Sequence, residues 1–193
     1  VYDRWHFTRW GVPEGLLSGR VYSFGETPDG ALWFGTDRGL SRWKRGAWTH
    51  WRRFQRVFTL AVGADSRIWF ADQLNGLTYI ETRDQPHDVG VSDGLHGTEV
   101  WDLRVDSRGW LWVTTRTGLA TYHDGAWSWI GPEQGLKSPR LWPVLPLAER
   151  VYIGSTGGGA SVLALDEARG PEPRVQIASA AEAEGRPRVR WRV

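Results

Sequence analysis

The chain has 193 residues, 40% of them hydrophobic and 24% charged, a balance that belongs to a folded chain and excludes disorder and collagen-like repeats. Basic and acidic side chains number 24 and 22, so the formal charge of +2 leaves no electrostatic footprint for nucleic acid. The absence of Cys excludes disulfides, thiolate metal sites and a cysteine nucleophile, and the absence of Met leads us to expect a processed chain or an excised piece.

In chain order, the first apolar run is Trp5 to Trp10, an orphan strand with no partner nearby in sequence. Glu14-Gly15-Leu16-Leu17-Ser18 follows as a linker. A unit of short runs separated by turn residues comes next: Val21 to Phe24, the turn Pro28-Asp29-Gly30, Leu32 to Phe34, a run opening at Gly39-Leu40, and Trp48 to Trp51. A second unit contains Val57 to Leu60, the turn Asp65-Ser66, Ile68 to Phe70, and Gly76-Leu77. The third follows Asp93-Gly94-Leu95 and contains Val100 to Leu103, the turn Asp106 to Gly109, Leu111 to Val113, Gly118-Leu119, and Trp127 to Ile130. The fourth follows Gln134-Gly135-Leu136, keeps Leu141 to Val144 and Val151 to Ile153, and continues from Ala160. Its uncharged stretch, Val151 to Leu165, is the longest in the chain, yet it falls short of the roughly 18 apolar residues that cross a bilayer. No signal peptide is visible at Val1. From Asp166 the pattern stops; Gly170-Pro171-Glu172-Pro173 forms a stiff connector, and Val175, Ile177, Val189, Trp191 and Val193 alternate with polar residues as half-exposed strands do.

Landmarks of the first unit return in the third after 79 residues: Gly15 as Gly94, Val21 as Val100, Trp33 as Trp112, Gly39 as Gly118 and Trp48 as Trp127. The second unit lies between them, so the period is about 40 residues, the length of a four-stranded propeller blade. The expected fold is all-β, a β-propeller of about four four-stranded blades, with repeats near 21–54, 57–90, 100–131 and 141–166 and a linker at 167–173. Radially stacked sheets bury both faces of their strands, which assigns most of the 14 Trp to packing rather than to ligand chemistry.

The phrases Asp29-Gly30-Ala31-Leu32-Trp33-Phe34-Gly35-Thr36, leading to Gly39-Leu40, and Asp106-Ser107-Arg108-Gly109-Trp110-Leu111-Trp112-Val113, leading to Gly118-Leu119, resemble the two-component regulator propeller repeat. That repeat has an Asp-Gly turn, Leu-Trp-Val-Gly-Thr and Gly-Leu, with blades joined by an acidic-Gly-Leu linker. The likeness covers about residues 5–165; the second unit departs from it, lacking the linker before Val57. The resemblance implies a β-sandwich after the propeller, with residues 174–193 as its first hairpin. Trp5 to Trp10 either completes the fourth blade and closes a small ring or ends a blade outside the chain; relatives with this repeat are larger, which favours the open arc. It further implies an extracytoplasmic, periplasmic ligand-sensing module of a bacterial histidine kinase or diguanylate cyclase receptor, not itself an enzyme and carrying no cofactor. Implied partners are a small-molecule or oligosaccharide ligand, the remainder of the receptor chain, and a second copy through the full-length receptor. Nucleic acid and membrane contact by this segment are not expected.

The residues themselves offer little catalytic chemistry. His6, His50, His87, His96 and His123 lack metal-ligand spacing, and Gly157-Gly158-Gly159 lacks the Lys-Ser and helix of a phosphate loop. Asp102 takes the place of Ser23 and Thr59 at the third position of the innermost strand, where an acid either meets a ligand or is a hydrogen-bonded structural residue; the structural role is favoured. Arg20, Arg56 and Arg140 stand immediately before that strand, with Glu99 in the third unit, while Arg38 and Arg116 lie between the second and third runs. Both loop types leave a blade at one end, so Arg20, Arg38, Arg56, Arg116, Arg140 and Asp102 are the candidate ligand-binding residues. Guanidinium forks suit the carboxylates and sulfates of acidic glycans, with exposed Trp or Tyr supplying sugar stacking. The competing reading pairs these arginines with Asp37, Asp72 and Glu99 on a solvated surface. A propeller lyase or glycosidase and a protein-interaction scaffold are the alternatives to the sensor.

Overall fold

In the computed structural model, which describes residues 7–63, 65–81, 84–97, 99–165 and 176–178, the apolar runs of the repeat pair with their successors across tight turns. The first sheet is the meander β1 (Val21–Glu26), β2 (Leu32–Thr36), β3 (Gly39–Lys44) and β4 (Ala47–Trp51), all antiparallel. The second is β5 (Thr59–Val62), β6 (Ile68–Asp72), β7 (Gly76–Ile80) and β8 (Pro86–Val89). The third is β9 (Val100–Val105), β10 (Leu111–Thr115), β11 (Leu119–His123) and β12 (Ala126–Ile130). The fourth is β13 (Leu141–Pro146), β14 (Arg150–Ser155), β15 (Gly159–Ala164) and β16 (Gln176–Ala178). These are the four propeller blades, and the chain divides into two units, Val1–Asp93 with the first two and Gly94–Val193 with the last two.

Local chemistry sets the turns. In the first blade the Asp29 carboxylate accepts the Thr27 hydroxyl at 2.7 Å and the Ala31 N–H at 3.1 Å. In the third, Asp106 accepts the N–H groups of Arg108 and Trp110 at 2.9 and 3.0 Å, closing the same kind of Asx turn. Arg45-Gly46 and Asp124-Gly125 join β3 to β4 and β11 to β12, both residues of each pair having positive φ, which is the type I′ turn that matches strand twist. The linkers are built alike. Glu14, Asp93 and Gln134 each use a side-chain oxygen to accept the N–H of the glycine three residues earlier, at 2.7, 2.8 and 2.8 Å. The following Gly15, Gly94 and Gly135 have φ near +100°, and the buried Leu16, Leu95 and Leu136 are the anchors.

Each unit has its own core. Trp33, Leu40, Phe54, Val57, Ile68 and Phe70 interlock in the first, and Trp112, Leu119, Leu141, Val144, Val151 and Ile153 in the second. Trp33, Trp69 and Trp112, at one repeat position, are 4%, 3% and 0% exposed, as packing between blades requires.

Four features differ from the sequence reading. The second blade begins at Thr59, because the Val57 N–H is spent on the Thr36 carbonyl at 2.9 Å, stitching that blade to the first. Its fourth strand, β8 at Pro86–Val89, lies inside the expected 57–90 repeat but on residues that the sequence reading does not single out as a strand. Residues 7–10 of the Trp5–Trp10 run carry no strand; Trp10 instead packs at 4.9–5.9 Å against Phe34, Trp43 and Trp48 on the first blade. Within the segment read as the start of a sandwich, Gln176–Ala178 pairs with β15 as the fourth strand of the last blade. The rest of 174–193 lies outside the described residues, as do the linker at 167–173 and Trp5.

Candidate functional site

One backbone hydrogen bond recurs in every blade. The loop between its second and third strands donates an N–H to a carbonyl ahead of its first strand, immediately ahead in three blades and four residues ahead in the second: Asp37 to Arg20 at 3.3 Å, Gln73 to Gln55 at 2.9 Å, Arg116 to Glu99 at 3.1 Å and Thr156 to Arg140 at 2.9 Å. This closure holds both candidate loop types at one end of each sheet.

In the first unit the Asp37 peptide is a hub. Its N–H donates to Arg20, and its carbonyl accepts the Arg56 N–H at 3.2 Å, with Arg38 next in the chain. Arg20, Arg38 and Arg56 are thereby gathered on one edge, all three exposed. Asp37 forms no ion pair with them among the described residues, and its Oδ1 is buried without a hydrogen-bond partner. Asp72 is engaged locally, accepting the N–H groups of Leu74 and Asn75 at 2.8 and 3.1 Å.

The second unit treats its arginines differently. Arg116 contacts both Glu99 oxygens at 3.2 Å, so its charge is partly neutralised. Arg140 is exposed and has no ion pair among the described residues. Asp102 is structural: its Oδ2 accepts the Val144 N–H at 3.1 Å from the neighbouring blade, and its Oδ1 meets Arg104 Nη1 at 2.9 Å. At 8% exposure that carboxylate is buried and fastens β9 to β13.

The sequence reading expects exposed Trp or Tyr near these arginines without saying which, and it does not single out the aromatic at the second position of each innermost run: Tyr22, Phe58, Trp101 and Trp142. The burial of both strand faces in stacked blades counts such residues as packing. In three blades the register slips at this point, between Val21 and Ser23, between Thr114 and Thr115 opposite β9, and between Leu141 and Val144. A β-bulge turns its extra side chain out of the ladder. Accordingly Tyr22, Trp101 and Trp142 are 43%, 36% and 56% exposed. Trp101 and Trp142 come from adjacent blades of one unit and stack with centroids 4.8 Å apart and planes 23° from parallel. The signal was present as Val-Tyr, Val-Phe, Val-Trp and Leu-Trp at the repeat period.

Elsewhere, His50, His87, His96 and His123 stack on aromatic rings. Burial, with Arg52 nearby, holds His50 below the ordinary imidazole value, against the opposing hydrogen bond to the Gly15 backbone. Among the described residues no three His, Asp or Glu side chains come together as metal ligands, and no helix is long and apolar enough to cross a membrane.

Comparison with known proteins places these features. Residues 15–38 match the family described as two component regulator propeller. None of the curated proteins matches the chain. Among solved structures, the chain is similar to the extracellular domain of the hybrid two component system BT3049 of B. thetaiotaomicron, at 19% identity and a TM-score of 0.66 over 88% of this chain and 23% of that one. It is similar to the extracellular domain of the one component system BT4673 of the same organism, at 15% identity and a TM-score of 0.62 over 85% of this chain and 25% of that one. A gluconolactonase of Xanthomonas campestris gives 20% identity and a TM-score of 0.54 over 79% of this chain and 60% of that one. At such identities the likeness shows the fold, and the chain spans about a quarter of the length of the first two.

Proposed function

We propose that this chain, which carries the two component regulator propeller repeat, is an extracytoplasmic ligand-sensing propeller module of a bacterial signalling receptor, and that its ligand is a glycan. The observation that carries the reading is made in each unit separately: at the loop end of a sheet an exposed arginine stands two residues before a bulge-displaced aromatic ring, Arg20 before Tyr22 in the first and Arg140 before Trp142 in the second. Guanidinium forks bind carboxylate and sulfate groups, and aromatic faces take the apolar faces of sugars. The similarity to extracellular domains of two component and one component systems supports a periplasmic position and a non-enzymatic role. A lactonase or lyase activity has only a shared architecture behind it, and architecture does not carry chemistry.

As a sensor the module acts by differential affinity. A ligand shifts the receptor only as far as it favours one arrangement of the propeller and the region after it over another; a 100-fold preference is worth about 2.7 kcal/mol. The output, a histidine kinase or a diguanylate cyclase, then reads that shift. The arginine contribution is tested by titrating the chain with pectin and chondroitin sulfate. Arg20→Glu combined with Arg140→Glu is expected to weaken acidic-glycan binding at least tenfold; affinity equal to the unaltered chain refutes a role for these cations.

A further inference from the structure

We propose that the stacked pair Trp101–Trp142 is a carbohydrate-stacking platform, with the exposed Trp142 ring face receiving the C–H face of a pyranose and Arg140 beside it receiving the sugar's polar substituents. The proposal rests on the sensor reading only for the class of ligand; the site is argued from the side chains. Trp112, in the same blade as Trp101, has no exposed surface, so packing in this unit is met without the pair. Trp142, at 56% exposed, is left as a large apolar ring in water on an innermost strand, which is the signature of a contact surface rather than of a core residue.

The pair is held in place before any ligand arrives. Each ring backs the other at 4.8 Å, so rotation of one is opposed by the other. The Thr114 hydroxyl donates to the Trp142 carbonyl at 2.7 Å, and Asp102, next to Trp101, accepts the Val144 N–H at 3.1 Å. Both bonds run between the two blades that supply the rings, and both sit at the bulges that turn the rings outward. Ordering the rings in advance removes an entropic cost from binding. The structural acid Asp102 thus has an indirect part in recognition, as a positioning residue.

A half-exposed indole with an exposed guanidinium two residues away in sequence suits a ligand that is flat, alternates C–H and hydroxyl groups, and extends past the platform. A carbohydrate has those properties; a compact apolar molecule is better served by an enclosed cavity.

The test uses the 193-residue chain in affinity electrophoresis through gels containing starch, xylan, galactan, pectin or chondroitin sulfate, with binding followed in parallel by tryptophan fluorescence. At least one polysaccharide is expected to retard the chain. Trp142→Ala is expected to weaken that interaction at least tenfold without changing the far-UV circular dichroism, Trp142→Phe to stay within about threefold, and Leu147→Ala, an equally exposed apolar change at the opposite end of the blade, to have no effect. Retention of full affinity by Trp142→Ala overturns the proposal, and so does failure of every polysaccharide to bind. The sensor reading fails separately: if Trp142-dependent binding is found and the full-length receptor gives no output change with that polysaccharide, the platform stands and the sensor does not. If the receptor answers a ligand that is not a carbohydrate, the platform falls and the sensor stands.

Discussion

Replacing Trp112 by Ala tests whether blade packing is understood. Trp112 is fully buried in the core with Leu119, Leu141, Val144 and Val151, and its indole N–H donates to Asp106 Oδ2 at 3.1 Å. Truncation returns about 150–200 Å² of apolar burial, worth about 4–5 kcal/mol at ~25 cal/mol per Å². Loss of the hydrogen bond adds at most about 1 kcal/mol, because Asp106 keeps its bonds from the Arg108 and Trp110 backbone and is not orphaned. Partial collapse of the cavity offsets some of this, so the net expectation is about 4 kcal/mol, within the usual range for large aromatic truncations. The internal control is Trp142→Ala, which removes a ring already 56% exposed and is expected to cost no more than about 1 kcal/mol. Urea unfolding followed by far-UV circular dichroism measures both without relying on indole emission. Equal midpoint shifts for the two variants would refute the division between packing and presented tryptophans.

Two further outcomes follow from side-chain environments. Burial alone would raise the Asp106 carboxyl, yet the hydrogen bonds from Arg108, Trp112 and the Trp110 backbone outweigh it and hold the group below the ordinary carboxylate value. Its contribution to stability is therefore full above the unfolded carboxylate range near pH 4 and lost as the pH falls through the folded value; the urea midpoint should drop more between pH 6 and pH 3 in the unaltered chain than in Asp106→Asn. Arg42 lies 5.4 and 5.5 Å from the centroids of Trp33 and Trp51 and forks onto Asp84 at 2.5 and 2.9 Å, so Arg42→Lys loses both the planar stack and the second bond. We expect a cost of about 1–2 kcal/mol from that change, read as a lowered thermal midpoint; an unchanged midpoint would show the fork to be idle.

Blade boundaries were legible because their determinants are local. An Asp that closes its own turn, a linker residue that bonds the glycine three positions back, and a Leu anchor are all set within a few residues, so they repeat whenever the sequence repeats. The features that escaped are set by pairing across the fold. The segment Pro86-His87-Asp88-Val89 has little strand character and becomes β8 because β7 supplies partners for it, Thr78 opposite Asp88 and Tyr79 opposite His87, with Pro tolerated at the strand's first position. Val57 looks like the start of a strand in sequence and is diverted by one carbonyl of the preceding blade.

The arginines and aromatics divide in the same way. That the residue before a first strand lies at the same end of its own sheet as the loop between the second and third strands, as Arg20 does with Arg38, follows from meander topology alone. Which of the arginines is ion-paired depends on side-chain distances, and there Glu99 takes Arg116 while Asp37 and Asp72 form no ion pair with Arg20, Arg38 or Arg56 among the described residues. The aromatics fail for a sharper reason. Alternation assigns a strand residue to one face or the other, and in stacked blades both faces are interior, so any Trp in a strand is read as core. A bulge adds one residue and breaks the alternation at that point, and hydropathy carries no mark of it. The repeat does carry one: an aromatic after Val or Leu in all four copies, at a position where β2, β10 and β14 each find an extra residue on the partner strand. A recurrent large side chain at a recurrent irregularity is better evidence for a presented surface than the number of tryptophans, and it separates Trp101 and Trp142 from Trp33, Trp69 and Trp112.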